Sequence, residues 1–388
     1  MHHGIDRLIA GEPRDLVARL KSARLGYLTN DLAITADARR ARDGIVAAGF
    51  GIDRFFGPEH GLSGRAKEGA LVGNGADPAT GIPVISLYGD RVRPTPEDLA
   101  GLDAVLVDLP DVGSRFYTYM WTVSHLLEAC AEAGVAVVIA DRPNPIGGAL
   151  ADAEGPMFDE SCHSLVGRWS MPIRHSLTIG EAARHWVRTR SIAVELDVVT
   201  ASGWDRSARW SGDAPWMPPS LNMPSAATAL LYPGTCLAEG VNLSEGRSTA
   251  VPFRVIGAPW LDGAALASHF NELDLPGVHA LEYGFTPHVR DWAGEDCEGI
   301  ILEVTDASVF RPVHTGVRLL AAVEEIHPGV LSERTHMHMP GESDATPIEK
   351  LFGRRGAFES ITSGQWNDPA SLAVPEWAAA VAADLLYA

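Results

Sequence analysis

Cysteine is scarce in this chain, long apolar runs are missing, and positive charge is in deficit. Each shortage removes a class of protein. The four cysteines, Cys130, Cys162, Cys236 and Cys297, are scattered over 388 residues with no CxxC pair. Neither a zinc ribbon nor a disulfide framework is built that way, and no cofactor is called for. The N-terminal MHHGIDRLIAGEPRDL turns polar before a signal-like core develops, and no later run reaches bilayer-spanning length. The expectation is a chain with no membrane segment, cytoplasmic unless a signal has been removed from it. Asp and Glu outnumber Lys and Arg by 50 to 31, a formal net charge of -19. That balance repels polyanions, so nucleic acid is not an expected partner. Internal repeats and low-complexity tracts are also missing. The first strand-to-helix turn, LTNDLAITAD, lacks the GxGxxG glycines that let a pyrophosphate approach a helix, which disfavours dinucleotide binding.

What is present is an ordinary globular composition, 46% hydrophobic and 21% charged. The length favours two domains sharing a cleft, divided here as 1–220 and 221–388. Short β-branched runs end in polar or glycine-rich turns at 24–30, 52–61, 82–89, 104–113 and 135–145, and helical patterns lie between them. The clearest of these is YTYMWTVSHLLEACAEAG, with Gly134 as its stop. Alternation of this kind predicts an α/β fold, a doubly wound parallel sheet with helices on both faces. From about residue 205 Trp, Pro and Gly dominate and no periodicity survives. Strand-like and helical blocks after residue 260 suggest a smaller second α/β domain.

Ligands of open α/β sheets bind beyond the C-terminal ends of the strands. The residues there are unusual: Thr29 and Asn30, then Glu59 and His60, then Asp108, Asp111 and Arg115, then Asp141, Arg142 and Asn144. FFGPEHGLSG, residues 55–64, sets a carboxylate and an imidazole between proline and glycine, which a plain turn does not need. Carboxylates flanked by glycine recur at Glu59, Glu154, Glu239 and Glu245, and two of them would supply the acid and base of a glycosidase. Taken singly, most such glutamates are solvated loop charges. Arg115, Arg142 and Arg247 suit a ligand carboxylate, and internal ion pairs with Asp111 or Asp141 explain them about as well. His60 alone reads equally as a structural histidine. Glu181 follows Thr178 at capping-box spacing and is structural. His336 and His338 alternate like metal ligands, but no third ligand is spaced to complete a site. Trp204, Trp210 and Trp216 are packing residues first and sugar platforms second. The glycine-rich stretch 63–81 suits a lid beside the site or a plain surface loop.

In order and spacing, FFGPEHGLSG, GIPVISLYG, VDLPDVGSRFYTYMWT, ADRPNPIGG, AEGP, RHSLTIGE, SLNMPSA, YPGTCLAEGVNLSEGRSTAVPF and GAPW resemble the exo-β-N-acetylmuramidase family of bacterial cell-wall enzymes. The resemblance runs from about residue 4 to the C-terminus. It implies a Rossmann-like domain joined to a smaller C-terminal domain, with the active site in the cleft between them. It also implies release of N-acetylmuramic acid from the non-reducing end of peptidoglycan fragments in cell-wall turnover. Glu59 and Glu154 then lead as acid and base, with Glu239 and Glu245 in reserve. His60, Asp111, Arg115, Tyr117, Arg142, Asn144, Asn222, Asn242 and Arg247 are expected around the substrate, whose lactyl carboxylate gives the arginines a purpose. The substrate's acetamido group is an alternative internal nucleophile. Ser176 and Ser248 depart from the family, where glycine is expected, and put the exact specificity in question. Two other readings remain: a metal-dependent hydrolase using His60 with Asp108 or Asp111, and a protein that binds muropeptides without cleaving them.

Overall fold

The computed structural model describes residues 1–66, 73–89, 91–210, 215–335 and 341–388. His336 and His338, and part of the 63–81 stretch, lie outside the described residues.

Strands β1 (Leu25–Thr29), β2 (Ile52–Gly57), β3 (Gly75–Ala76), β4 (Pro83–Ser86), β5 (Ala104–Asp108), β6 (Ala136–Ala140) and β7 (Leu196–Val199) make one sheet ordered β3-β4-β2-β1-β5-β6-β7. Every neighbouring pair is parallel except β3 with β4. Successive strand residues point to opposite faces, and the central strands β1, β5 and β6, covered on both, are buried almost throughout, while β2 and β7 carry Asp53, Arg54 and Asp197. Val105 and Val107 join one buried cluster with the helix Thr118–Ala133, while Ala104 and Leu106 join another with Ile5, Leu8, Val17, Leu20 and Ile45 of the first helices. The expected doubly wound sheet is therefore the fold. Its strand order reverses between β1 and β5, which opens a crevice at their C-terminal ends.

The second sheet is antiparallel: β8 (Val255–Ala258), β9 (Val278–Glu282) and β10 (Glu298–Val304), ordered β8-β10-β9. The cluster that holds Val105 and Val107 continues from the big sheet into this one through Ile256 and Ile300, with Val313 of a covering helix. The stretch with no readable periodicity holds a helix, Ala226–Thr235, despite an internal Pro233. Gly234 explains its place. A Cβ there would overlap the backbone oxygen of Pro312, and one on Gly316 would overlap Gly234, so two helices cross nearly in backbone contact. The helix runs on into a tight turn, Cys236–Gly240, which delivers Glu239.

Candidate active site

A cleft of about 820 Å³ opens at the switch point. On the sheet side, β2 ends at Gly57, and the chain then turns with His60 and Gly61 both in the left-handed region, φ 68° and 70°. Glycine adopts that backbone freely and histidine does so at a cost, which marks the turn as shaped for its side chains. His60 Nδ1 meets the Ala66 carbonyl at 2.7 Å and fixes the loop. Glu59 projects into the cleft, and Thr118, the first residue of the helix after β5, donates its hydroxyl to Glu59 Oε2 at 2.7 Å. Asn30, beyond β1, donates to Tyr119 Oη at 2.9 Å, and that hydroxyl donates onward to the Pro219 carbonyl at 3.0 Å. Three strand ends are thus wired together around one carboxylate.

A second part of the lining is electrostatic. Arg247 Nη2 lies 2.5 Å from Glu239 Oε1, and Arg290 Nη1 lies 2.6 Å from Oε2. The Cys236 thiol donates to the same Oε1 at 3.2 Å. Behind them Glu245 Oε1 meets Arg247 Nε at 2.7 Å. Burial, then the neighbouring Glu239, pushes the Glu245 carboxyl above its ordinary range. Burial, then Arg290, holds the Arg247 guanidinium well below its own. Arg334 pairs with Asp291 at 2.8 Å beside them. A further side is closed by Lys350, whose Nζ is 2.7 Å from Glu342 Oε2, with Ser164 and Leu165 alongside. The floor is aromatic: Tyr117 packs edge-on against Tyr119 at 5.0 Å, Phe116 against Tyr232 at 5.2 Å, and Tyr232 against Phe253 at 4.7 Å.

Two family models cover nearly the whole chain: "Exo-beta-N-acetylmuramidase NamZ, N-terminal" over residues 25–227 and "Exo-beta-N-acetylmuramidase NamZ, C-terminal" over residues 230–380. The chain belongs to the NamZ exo-β-N-acetylmuramidase family. A relative from Bacillus subtilis (strain 168), named peptidoglycan beta-N-acetylmuramidase NamZ, is 38% identical over 327 residues, 84% of this chain and 78% of its own. Two solved DUF1343 family proteins of Bacteroides fragilis NCTC 9343 share the fold. One has a TM-score of 0.85 at 24% identity over 100% of this chain and 99% of its own, the other 0.75 at 25% over 98% of both.

The NamZ-family cleft collects Glu59, His60, Tyr117, Asn222, Glu239 and Arg247 from the residues expected on sequence. Others go elsewhere, each for a physical reason. Glu154 is 4% exposed and accepts from the Val313 and His314 amides, so it caps the helix Pro312–Ile326 instead of facing the cleft. Glu245 stands behind Arg247. Arg142 clasps Asp108 through Nε at 2.5 Å and Nη2 at 3.0 Å, an internal ion pair with a different aspartate from those expected. Arg115 is fully buried on the Phe158 ring and donates to the Lys350 and Leu351 carbonyls, so it braces a cleft wall from behind. Asp111 accepts from the Gly113 amide and faces His175, 3.6 Å away, in the interior. Asn144 bonds the Leu177 carbonyl and the Ile146 amide, and Asn242 bonds the Val330 carbonyl and the Ser332 amide. These asparagines tie backbone.

Sequence reasoning missed Thr118, Tyr119, Ser164, Arg290, Arg334, Glu342 and Lys350. Thr118 and Tyr119 open the helix after β5, where apolar helical spacing is the only local signal. The others come from stretches with no local signal, and packing of the second domain brings Arg290, Arg334, Glu342 and Lys350 to the cleft. Among the described residues, no group of three or more His, Cys, Asp or Glu is placed to hold a metal ion, and no helix is long and apolar enough to cross a membrane.

Proposed function

We infer that this chain is an exo-acting glycoside hydrolase that releases N-acetylmuramic acid from the non-reducing end of peptidoglycan fragments in cell-wall turnover and recycling. Family membership supports the reaction class. For the site, the observation that carries the reading is Glu59, held by Thr118 in the same cleft as Glu239 and its two arginines. Glu59 is the general acid and base. Protonated, it gives its proton to the glycosidic oxygen as the C1–O bond breaks; ionised, it takes the proton of the water that completes hydrolysis. Both oxygens of Glu239 are engaged by guanidiniums, which suits holding those cations better than attacking a sugar. The electron pair that stabilises C1 then comes from the substrate's own acetamido oxygen. Arg247 and Arg290 face the lactyl carboxylate, and the aromatic floor takes the ring face.

The test is release of product from a chromogenic N-acetylmuramic acid β-glycoside, with the N-acetylglucosamine analogue and a chelator as controls. Glu59→Gln is expected to lose activity by a hundredfold or more, while Glu154→Gln stays within a few-fold of wild type. An active Glu59→Gln enzyme overturns the assignment. Sugar binding without any turnover by the wild type would leave a binding protein.

A further inference from the structure

Ser248 has a non-glycine side chain where the backbone favours glycine: its φ is 59°. It lines the cleft, and its amide and its hydroxyl oxygen reach two other loops. The amide donates to Asn222 Oδ1 at 3.3 Å, the hydroxyl donates to the Arg247 carbonyl at 2.6 Å, and the same oxygen accepts from the His288 amide at 3.2 Å. Asn222, Arg247 and Arg290, two residues beyond His288, all line the cleft. The 286–292 loop is itself irregular, with Arg290 and Trp292 at φ 64° and 65°. The loop is also tied by Trp292 Nε1 to the Asn242 carbonyl at 3.0 Å, by Arg290 to Glu239 and by Asp291 to Arg334.

We propose that Ser248 is a positioning residue that pins the 286–292 loop to the Arg247 loop and thereby sets Arg290 against Glu239 at the anion-facing wall. This rests on the functional reading above, because the wall is assigned there to the lactyl carboxylate. The hydroxyl is what justifies a side chain at this φ. Glycine would relax the backbone yet leave the His288 amide without its acceptor, and alanine would keep the strain and lose the acceptor as well.

Comparing Ser248→Gly with Ser248→Ala separates the two effects. Both variants are expected to raise KM for the muramic acid glycoside by about five- to tenfold, the scale of one lost hydrogen bond, with kcat close to wild type. Thermal stability should diverge, with the glycine variant at or above wild type and the alanine variant below it. Hydrogen exchange over residues 286–292 should speed up in both, and this readout needs no substrate. If wild type fails to cleave the glycoside while exchange still accelerates in both variants, the functional reading fails and the pin stands. If KM and exchange are unchanged in Ser248→Gly, or if KM merely follows stability so that only alanine is impaired, the positioning role is overturned.

Discussion

Glu59 and Glu154 show how little a residue's neighbours in sequence reveal about its use. Both stand before or near glycine after a strand, yet one meets a hydroxyl on the cleft wall and the other caps a helix. The difference lies in what folds against each. At the same scale, Ser176 is buried at φ 58°, and its hydroxyl meets no partner among the described residues. A left-handed backbone costs a non-glycine residue about 1–2 kcal/mol and an unpaired buried hydroxyl adds to that, against roughly 0.5–1 kcal/mol for the freedom glycine loses on folding. Ser176→Gly is therefore expected to stabilise the protein by about 1 kcal/mol in urea unfolding; a loss of stability would show that the hydroxyl has a partner in solution. Glu239→Gln weakens the hold on Arg247 and Arg290, so KM should rise at least tenfold for the muramic acid glycoside and much less for its N-acetylglucosamine analogue. Equal losses on both would detach this wall from the lactyl group.

At the scale of elements, the local rules held where side chains answer only to their own helix or strand. Gly134 ends its helix in the left-handed conformation, φ 67°, and Thr178 with Glu181 forms the capping box that its spacing foretold. Both partners do more than cap. Thr178 also donates to Asp141 at 2.7 Å, and Glu181 pairs with Arg206 at 2.5 Å. The helix Ala226–Thr235 was illegible because Pro233 and Gly234 argue against a helix by propensity. It forms because Gly234 and Gly316 permit an approach that no larger residue allows. Gly316→Ala should accordingly cost about 1–3 kcal/mol or more through overpacking, and should disturb Glu239 on the following turn. Denaturant unfolding with parallel KM measurements checks both; wild-type stability would mean the helices can part.

Over the whole molecule, burial sets the response to pH. It raises Asp111 from 3.8 to about 7, Asp141 from 3.8 to about 6 and Glu154 from 4.5 to about 7. Between the lower and upper values the folded protein keeps protons that the unfolded chain has released. The stability that these three groups contribute is then fully present below about pH 4 and is lost as pH rises towards 7, whereas the buried His125 and His175, held down from 6.5 to about 3, act in the opposite sense. Glu154→Gln removes one of these protons from the balance and should flatten the decline between about pH 5 and 7 in urea titrations. An unchanged slope would mean that Glu154 does not titrate there, the two helix amides holding it ionised.

The sequence by itself determined the doubly wound sheet, its strand runs and the loops in which function was to be sought. Those follow from apolar periodicity and from turn residues acting over a few positions. It also singled out Glu59, His60, Tyr117, Asn222, Glu239 and Arg247, which line one cleft. Only the tertiary structure decided which charges face the cleft and which face one another. It gave Arg142 to Asp108, Arg115 to backbone carbonyls and Glu154 to a helix end, and it brought Arg290, Arg334 and Lys350 in from the second domain. The reason is physical: a buried charge is settled by whichever partner the fold sets within about 4 Å, and those partners stand dozens to hundreds of residues apart along the chain.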